Sequence, residues 1–302
     1  MDLPREVEKC VAFVGHRSKS NLLGEIQGTC LLLVRRTEIF GFNIFWALTA
    51  AHVVHEIQDA GKEAEIRVNA VEQGAAIRPP FSQWFFPHGE VDLAAACLTE
   101  SVENDPEKWD HWALPWEVVV PELVNNADPR SIYLGDPVFV PGLFFQRRNE
   151  YVNVPVVRFG NVAGMPEEPV WVKLGSSRKS SDAKVKAYLV ELHSQQGLSG
   201  SPVFVCEQNA ESMIRGEVTW HTRRSRDPIY LLGILSGHFG ADETARPEKL
   251  GADQAEINFG IAVVVPHDEI AAFFDSPQIR AHEEMLCQGK LKAMGDMRAI
   301  AD

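Results

Sequence analysis

Three short segments carry residue types that could act together on an acyl group. Thr49-Ala50-Ala51-His52 sets a histidine behind an apolar run, Val91-Asp92-Leu93-Ala94 sets an acid at the edge of another, and Gly197-Leu198-Ser199-Gly200-Ser201-Pro202 sets a serine in a glycine-flanked turn. A serine hydroxyl is a poor nucleophile at neutral pH, so Ser199 needs a base within hydrogen-bond reach. His52 can take its proton and later hand it to the leaving group. A buried Asp92 on the far ring nitrogen would hold the right tautomer and stabilise the imidazolium as it forms. Gly197 leaves the backbone unhindered, so that its N–H and that of Ser199 can both point at a developing oxyanion. Loss of one such donor costs on the order of a hundredfold in rate, which marks Gly197 as the glycine least tolerant of substitution.

Rival assignments exist for each residue. The chain has ten histidines, and a single histidine is ordinarily a packed or surface residue. His52, however, follows the strand-like run Phe45-Trp46-Ala47-Leu48-Thr49 and precedes a short helical turn, with His55 the rival base one turn along. His52, His55 and Glu56 match neither the HExxH nor the HxxEH zinc pattern, so no metal site is expected. Asp92 borders the buried-type strand Leu93–Leu98, where an acid is less ordinary than in a solvated turn. Ser201 is the rival nucleophile.

In the order His, Asp, Ser and in the residues around each, the chain resembles the chymotrypsin-like (trypsin-like) serine protease family, and within it the disulfide-free bacterial intracellular branch. The resemblance spans residues 10 to 265. It implies an all-β, chymotrypsin-like double β-barrel, and a serine endopeptidase acting through a His52/Asp92/Ser199 triad and an acyl-enzyme. The oxyanion hole would come from Gly197 and Ser199, the substrate would be a protein or peptide, and no cofactor is needed. Gly233-Ile234-Leu235-Ser236-Gly237-His238 is similar to the strand that pairs with the substrate backbone, with Ser236 donating to the catalytic acid. Gly260 falls at the back of the primary specificity pocket. An ungapped count places His193 at the pocket floor and His238 near its entrance, a pair that would suit an acidic or polar side chain. No Asp lies among Glu191 to Leu198 to select Lys or Arg, although a gap could bring in Glu191. Leu198 stands where secreted relatives keep an acid that pairs with a newly cut N-terminus, so control falls to a regulatory protein partner, to the loops or to the tail. The different-class alternative is a catalytically silent barrel serving as a peptide-binding or scaffolding module.

Composition fits this reading. The 302 residues suffice for two compact barrels and an appendage, and 45% are hydrophobic. No apolar run reaches membrane-span length, and the acidic start Met1-Asp2-Leu3-Pro4-Arg5-Glu6 is unlike a secretory signal. A formal charge of −13 argues against nucleic acid as a partner. Five cysteines, at 10, 30, 97, 206 and 287, show no paired spacing, and Val53 and Gln195 stand where the resemblance would put half-cystines. A reducing, cytoplasmic setting is expected.

The elements needed to position these residues follow from short apolar runs between polar turns. An N-terminal barrel is expected over residues 1–125, including the start of a linker. Residues 100–132, with Trp109, Trp112 and Trp116, would be pinned on the barrel surface. A C-terminal barrel over 126–266 draws six strands from Val138–Val140, Val154–Phe159, Ala187–Val190, Pro202–Val205, Tyr230–Leu235 and Phe259–Val265. Residues 267–302 form a helical tail starting near Asp268 or Ser276. The segment 240–258 reads as a long loop beside the cleft.

Overall fold

Val, Ile, Leu and Phe recur in short runs bounded by Gly, Pro and Asn, and in the computed structural model those runs are strands. The structure describes residues 5–16, 25–39, 41–72, 76–119, 132–144, 152–174, 181–192, 197–206, 229–240 and 258–301. The N-terminal lobe comprises α1 (Arg5–Lys9), β1 (Val11–His16), β2 (Glu25–Arg36), β3 (Asn43–Thr49), α2 (Ala51–Asp59), β4 (Glu65–Asn69), β5 (Ala76–Ile77), β6 (Trp84–Phe85), β7 (Ala94–Cys97), α3 (Thr99–Asn104), β8 (Leu114–Pro115) and α4 (Trp116–Val119). The C-terminal lobe comprises β9 (Pro137–Gly142), β10 (Val156–Gly164), β11 (Val170–Leu174), β12 (Ser181–Val185), β13 (Tyr188–Glu191), β14 (Pro202–Cys206), β15 (Ile229–Gly240) and β16 (Asn258–Pro266). Two helices follow, α5 (His267–Phe274) and α6 (Pro277–Ala301).

The six expected strands of the second lobe close into a barrel in the order β10-β13-β16-β15-β14-β9. The first lobe is a rolled sheet, β5-β4-β1-β2-β3-β7-β6, with β8 added parallel to β2. Ile66 and Val68 of β4 share one apolar cluster with Ala94 and Ala96 of β7, although three strands separate β4 from β7 in the ladder. Only a rolled sheet brings them together. The opposite faces of its strands are buried as well, which explains why these segments read as continuous apolar runs. Its end strands β5 and β6 do not pair with one another among the described residues, so hydrogen bonding closes the second barrel and not the first.

One core joins both lobes and the tail. Leu31, Trp46 and Leu48 of the first lobe pack in one cluster with Phe139, Phe204, Leu231 and Ile234 of the second, and with Ile270, Phe273 and Phe274 of α5. A buried polar clasp adds to it. Arg67 Nε donates to Asn153 Oδ1 at 2.7 Å, and Asn153 Nδ2 returns a bond to the Arg67 carbonyl at 2.6 Å. Burial, with Arg78 nearby, pulls the Arg67 guanidinium down to about 10. In the tail, Glu283 accepts from Arg35 at 2.8 Å and from Trp46 Nε1 at 3.0 Å.

Trp109 and Trp116 anchor the linker by burying in the two cores. Several expectations change here. The boundary at 125/126 falls outside the described residues. So do residues 241–257 of the expected loop, whose flanking Gly240 and Asn258 pair as the ends of β15 and β16. Asp268 does not cap α5. Pro266 occupies that position, and Asp268 lies in the first turn, accepting from Lys186 and from Glu269 N–H. The β11–β12 hairpin was not expected. No helix among the described residues is long and apolar enough to cross a membrane.

Phe274 is fully buried, edge-on to Trp46 with centroids 5.5 Å apart and 4.9 Å from Trp116. Phe274→Ala is expected to destabilise the protein by about 3–5 kcal/mol in urea unfolding. A loss under about 1 kcal/mol would mean that the tail is not part of the core.

Candidate active site

His52 lies in the first turn of α2, which begins directly after β3, so that the buried strand delivers the ring to the lobe interface. Asp92 lies just before β7, which pairs with β3. That pairing puts acid and histidine side by side. Asp92 Oδ1 accepts the His52 backbone N–H at 2.9 Å, and Oδ2 accepts the ring Nδ1–H at 2.7 Å. From the other lobe, Ser236 Oγ donates to Oδ2 at 2.5 Å. A register shift in β15 between Leu235 and Gly237 turns Ser236 out of the ladder toward the acid.

The electrostatics follow from these contacts. Burial raises the Asp92 carboxyl, but the His52 charge and the hydrogen bonds from His52 and Ser236 outweigh it and hold the group below the usual carboxylate range. Burial likewise lowers His52, and the Asp92 carboxylate, with a smaller contribution from Glu56, more than offsets it, so the imidazole sits above its ordinary value. Because Nδ1–H is committed to Asp92, Nε2 is the nitrogen left with a lone pair. His55 points elsewhere, stacked on Phe86 with centroids 4.7 Å apart.

Ser199 is half-buried at the turn before β14, whereas Ser201 is 0% exposed. Of the two serines, only Ser199 can meet a substrate. Its hydroxyl donates weakly to the Ser236 carbonyl at 3.4 Å and makes no hydrogen bond to the His52 ring in this conformation. Contacts between nucleophile and base are often loose before substrate binds. The N–H groups of Gly197 and Ser199 have no acceptor among the described residues, as donors held for an oxyanion require.

Gly197 has φ +99°, and a Cβ there would sit 3.0 Å from Leu143. The stricter constraint falls on Gly200, contrary to the sequence expectation. At φ +84° a Cβ on Gly200 would lie 2.0 Å from the Thr29 carbonyl and 2.2 Å from Thr49 Oγ1, because the turn is pressed against β2 and β3 of the other lobe. Non-local packing of this kind has no signature in the turn itself.

Around the pocket, Gly237 opens on free space, and Gly260, with φ +78°, accepts the Leu192 N–H at 2.6 Å. His238 pairs with Ala262 through the backbone. The expected pocket-floor residue His193 lies outside the described residues, and Glu191 is exposed at the end of β13. A cleft of about 290 Å³, lined by Val91, Asp92, Lys184, Ala187, Ser236 and Val263 among others, adjoins the acid. Beyond Ile234 and the bonds that Leu235 makes to Gly200 and Ser201, β15 has β16 on one side only, leaving Ser236–Gly240 with a free edge among the described residues.

No family model matches the chain, and no curated protein matches it in sequence. Among solved structures, the apo form of the MamO protease domain from Magnetospirillum magneticum is similar at 16% identity and TM-score 0.48, covering 91% of this chain and all of that one. The atomic-resolution structure of HBP is similar at 12% identity and TM-score 0.43, covering 91% and 96%. The described residues form two β lobes, the second a closed six-stranded barrel, with the His52–Asp92 pair on one and Ser199 on the other, followed by a helical appendage. The chemistry stands on this chain's own geometry.

With its carboxylate partner removed, the buried His52 ring loses the charge that raises it. In Asp92→Asn the His52 pKa, followed by NMR of the ring nitrogens, is expected to fall from above about 6.5 to below it. An unchanged value would mean that the two side chains are not paired in solution.

Proposed function

We propose that the chain is a serine endopeptidase in which Ser199 is the nucleophile, His52 the general base and then acid, and Asp92 the group that orients and charges the histidine. The observation that carries this reading is the Asp92 carboxylate, buried and met by three donors from both lobes, so that His52 keeps Nε2 as a base, while Ser199 is the accessible serine of the turn. Rotation of Ser199 about χ1 from the weak bond to Ser236 would bring the hydroxyl toward Nε2. Attack on a peptide carbonyl then passes the proton to His52 and charge to the oxyanion, to which the N–H groups of Gly197 and Ser199, without an acceptor among the described residues, would donate. His52 protonates the departing amine, and water repeats the sequence on the acyl-enzyme.

The free edge at Ser236–Gly240 supports binding of an extended peptide by strand addition, with the open space over Gly237 receiving a side chain. No cofactor enters this chemistry. Selection of an acidic or polar side chain by His193 and His238 is part of the proposal, as is control by a protein partner. A cytoplasmic setting is also part of the proposal, supported by Cys10, Cys30, Cys97 and Cys287, which form no disulfide among the described residues.

A second reading, the silent peptide-binding barrel, is favoured by the Ser199 hydroxyl facing Ser236 instead of His52. A fluorophosphonate separates the two. The wild type is expected to be labelled and to cleave denatured protein. Ser199→Ala loses both while folding normally, and Ser201→Ala keeps labelling. Absence of labelling in folded wild type favours the silent barrel. Because His52 must be neutral to accept a proton and its pKa is raised, the rate is expected to fall with decreasing pH along a limb centred above about 6.5. A rate that is flat through that limb would remove His52 as the base.

A further inference from the structure

In secreted relatives an acid before the nucleophile pairs with a newly cut N-terminus and so orders the oxyanion turn. Here that position is Leu198, 1% exposed and packed in the core of the second barrel. Glycine at Gly197 could turn its peptide either way at little cost. Something else must choose the orientation.

Thr29 of β2, fully buried, bonds to the turn through its N–H and its hydroxyl. Its hydroxyl accepts the Leu143 N–H at 2.9 Å and therefore commits its single proton to the Gly197 carbonyl, also at 2.9 Å. Its N–H donates to the Ser199 carbonyl at 2.9 Å. Its carbonyl accepts from Thr49 Oγ1 at 2.6 Å, three residues before His52. The Leu198 carbonyl, between the two that Thr29 holds, accepts Ser201 N–H at 2.9 Å. Three successive peptide planes are thus fixed by their oxygens. Each plane is rigid, so the direction of the Ser199 N–H follows from them. A β-branched side chain with restricted χ1 is well suited to such a clamp.

We propose that Thr29 is a positioning residue whose hydroxyl, held between Leu143 N–H and Gly197 C=O, keeps the oxyanion turn in its working conformation in the uncut chain, replacing an activation ion pair. The proposal rests on the serine-hydrolase reading. It predicts activity without proteolytic processing.

The test compares Thr29→Val, which keeps the shape and loses the hydroxyl, with Thr29→Ser, which keeps the hydroxyl. With p-nitrophenyl acetate and a fluorophosphonate as probes, Thr29→Val is expected to lower kcat and the labelling rate by about 10- to 100-fold with KM within about threefold, below the full loss of an oxyanion donor. Thr29→Ser should stay within about threefold of wild type. Amide hydrogen exchange supplies a readout that needs no activity. In Thr29→Val the Ser201 N–H should exchange at least about tenfold faster while Val263 and Val264 in β16 keep their protection. Equal impairment of both variants would assign the effect to packing, and wild-type kinetics and exchange in Thr29→Val would overturn the clamp. If wild type is neither labelled nor active, the enzymatic reading fails, and the exchange comparison still decides whether the hydroxyl holds the turn.

Discussion

A carboxylate taken out of water has to be met by donors, and Asp92 is such a carboxylate at the seam between two lobes. Two of its three donors come from His52, in the helix that starts where β3 ends, and the third comes from Ser236 across the seam. The third cannot be supplied unless the lobes are docked. The shared apolar cluster and the Arg67–Asn153 clasp supply that docking away from the reaction site. The lobes are thus tied at one buried charge, and the rest of the interface holds them where that charge is satisfied.

The site residues were legible in sequence because each sits in a local pattern: apolar strand then His52, Asp92 then alanine-rich strand, Ser199 between glycines. The six strands of the second barrel were legible for the same reason, as short apolar runs with punctuation. The β11–β12 hairpin was not, since its strands carry Lys173, Asp182 and Lys184 among the valines and its Trp171 is largely exposed, leaving little contrast with a loop. Trp109 and Trp116 were legible as anchors of the linker, but which cluster each enters is set by tertiary packing. The strict demand on Gly200 and the contacts of Thr29 to Gly197, 168 residues away, arise only when β2 and the turn meet across the lobes. No periodicity or spacing in either segment could reveal them.

The tail is tied to the same strand that delivers the histidine. Trp46 of β3 packs on Phe274 of α5 and donates to Glu283 of α6, which also holds Arg35 of β2. Burial raises the Glu283 carboxyl above its usual range, and Arg35 and Trp46 only partly restrain it. Three residues on from Trp46, Thr49 hydrogen-bonds the Thr29 carbonyl. The outer face of β3 is therefore fixed by the tail and its end by the Thr29 carbonyl of β2, so the position of His52 is determined from both sides of one strand.

Ser236 is where these constraints converge. Its hydroxyl belongs to Asp92 and its carbonyl faces the Ser199 hydroxyl, so one residue joins Asp92 of one lobe to Ser199 of the other. The first bond is short and made to a charged acceptor, and such bonds are roughly twice as strong as neutral ones. The second is long and easily given up. Under the proposed hydrolase reading that asymmetry suits catalysis: the contact that fixes Asp92 would persist, while the one that holds Ser199 could be exchanged for His52 without disturbing it. The free β15 edge begins at this same residue, so a peptide adding as a strand would lie beside the carbonyl that holds Ser199. Binding and release of the nucleophile would then be coupled through one backbone segment.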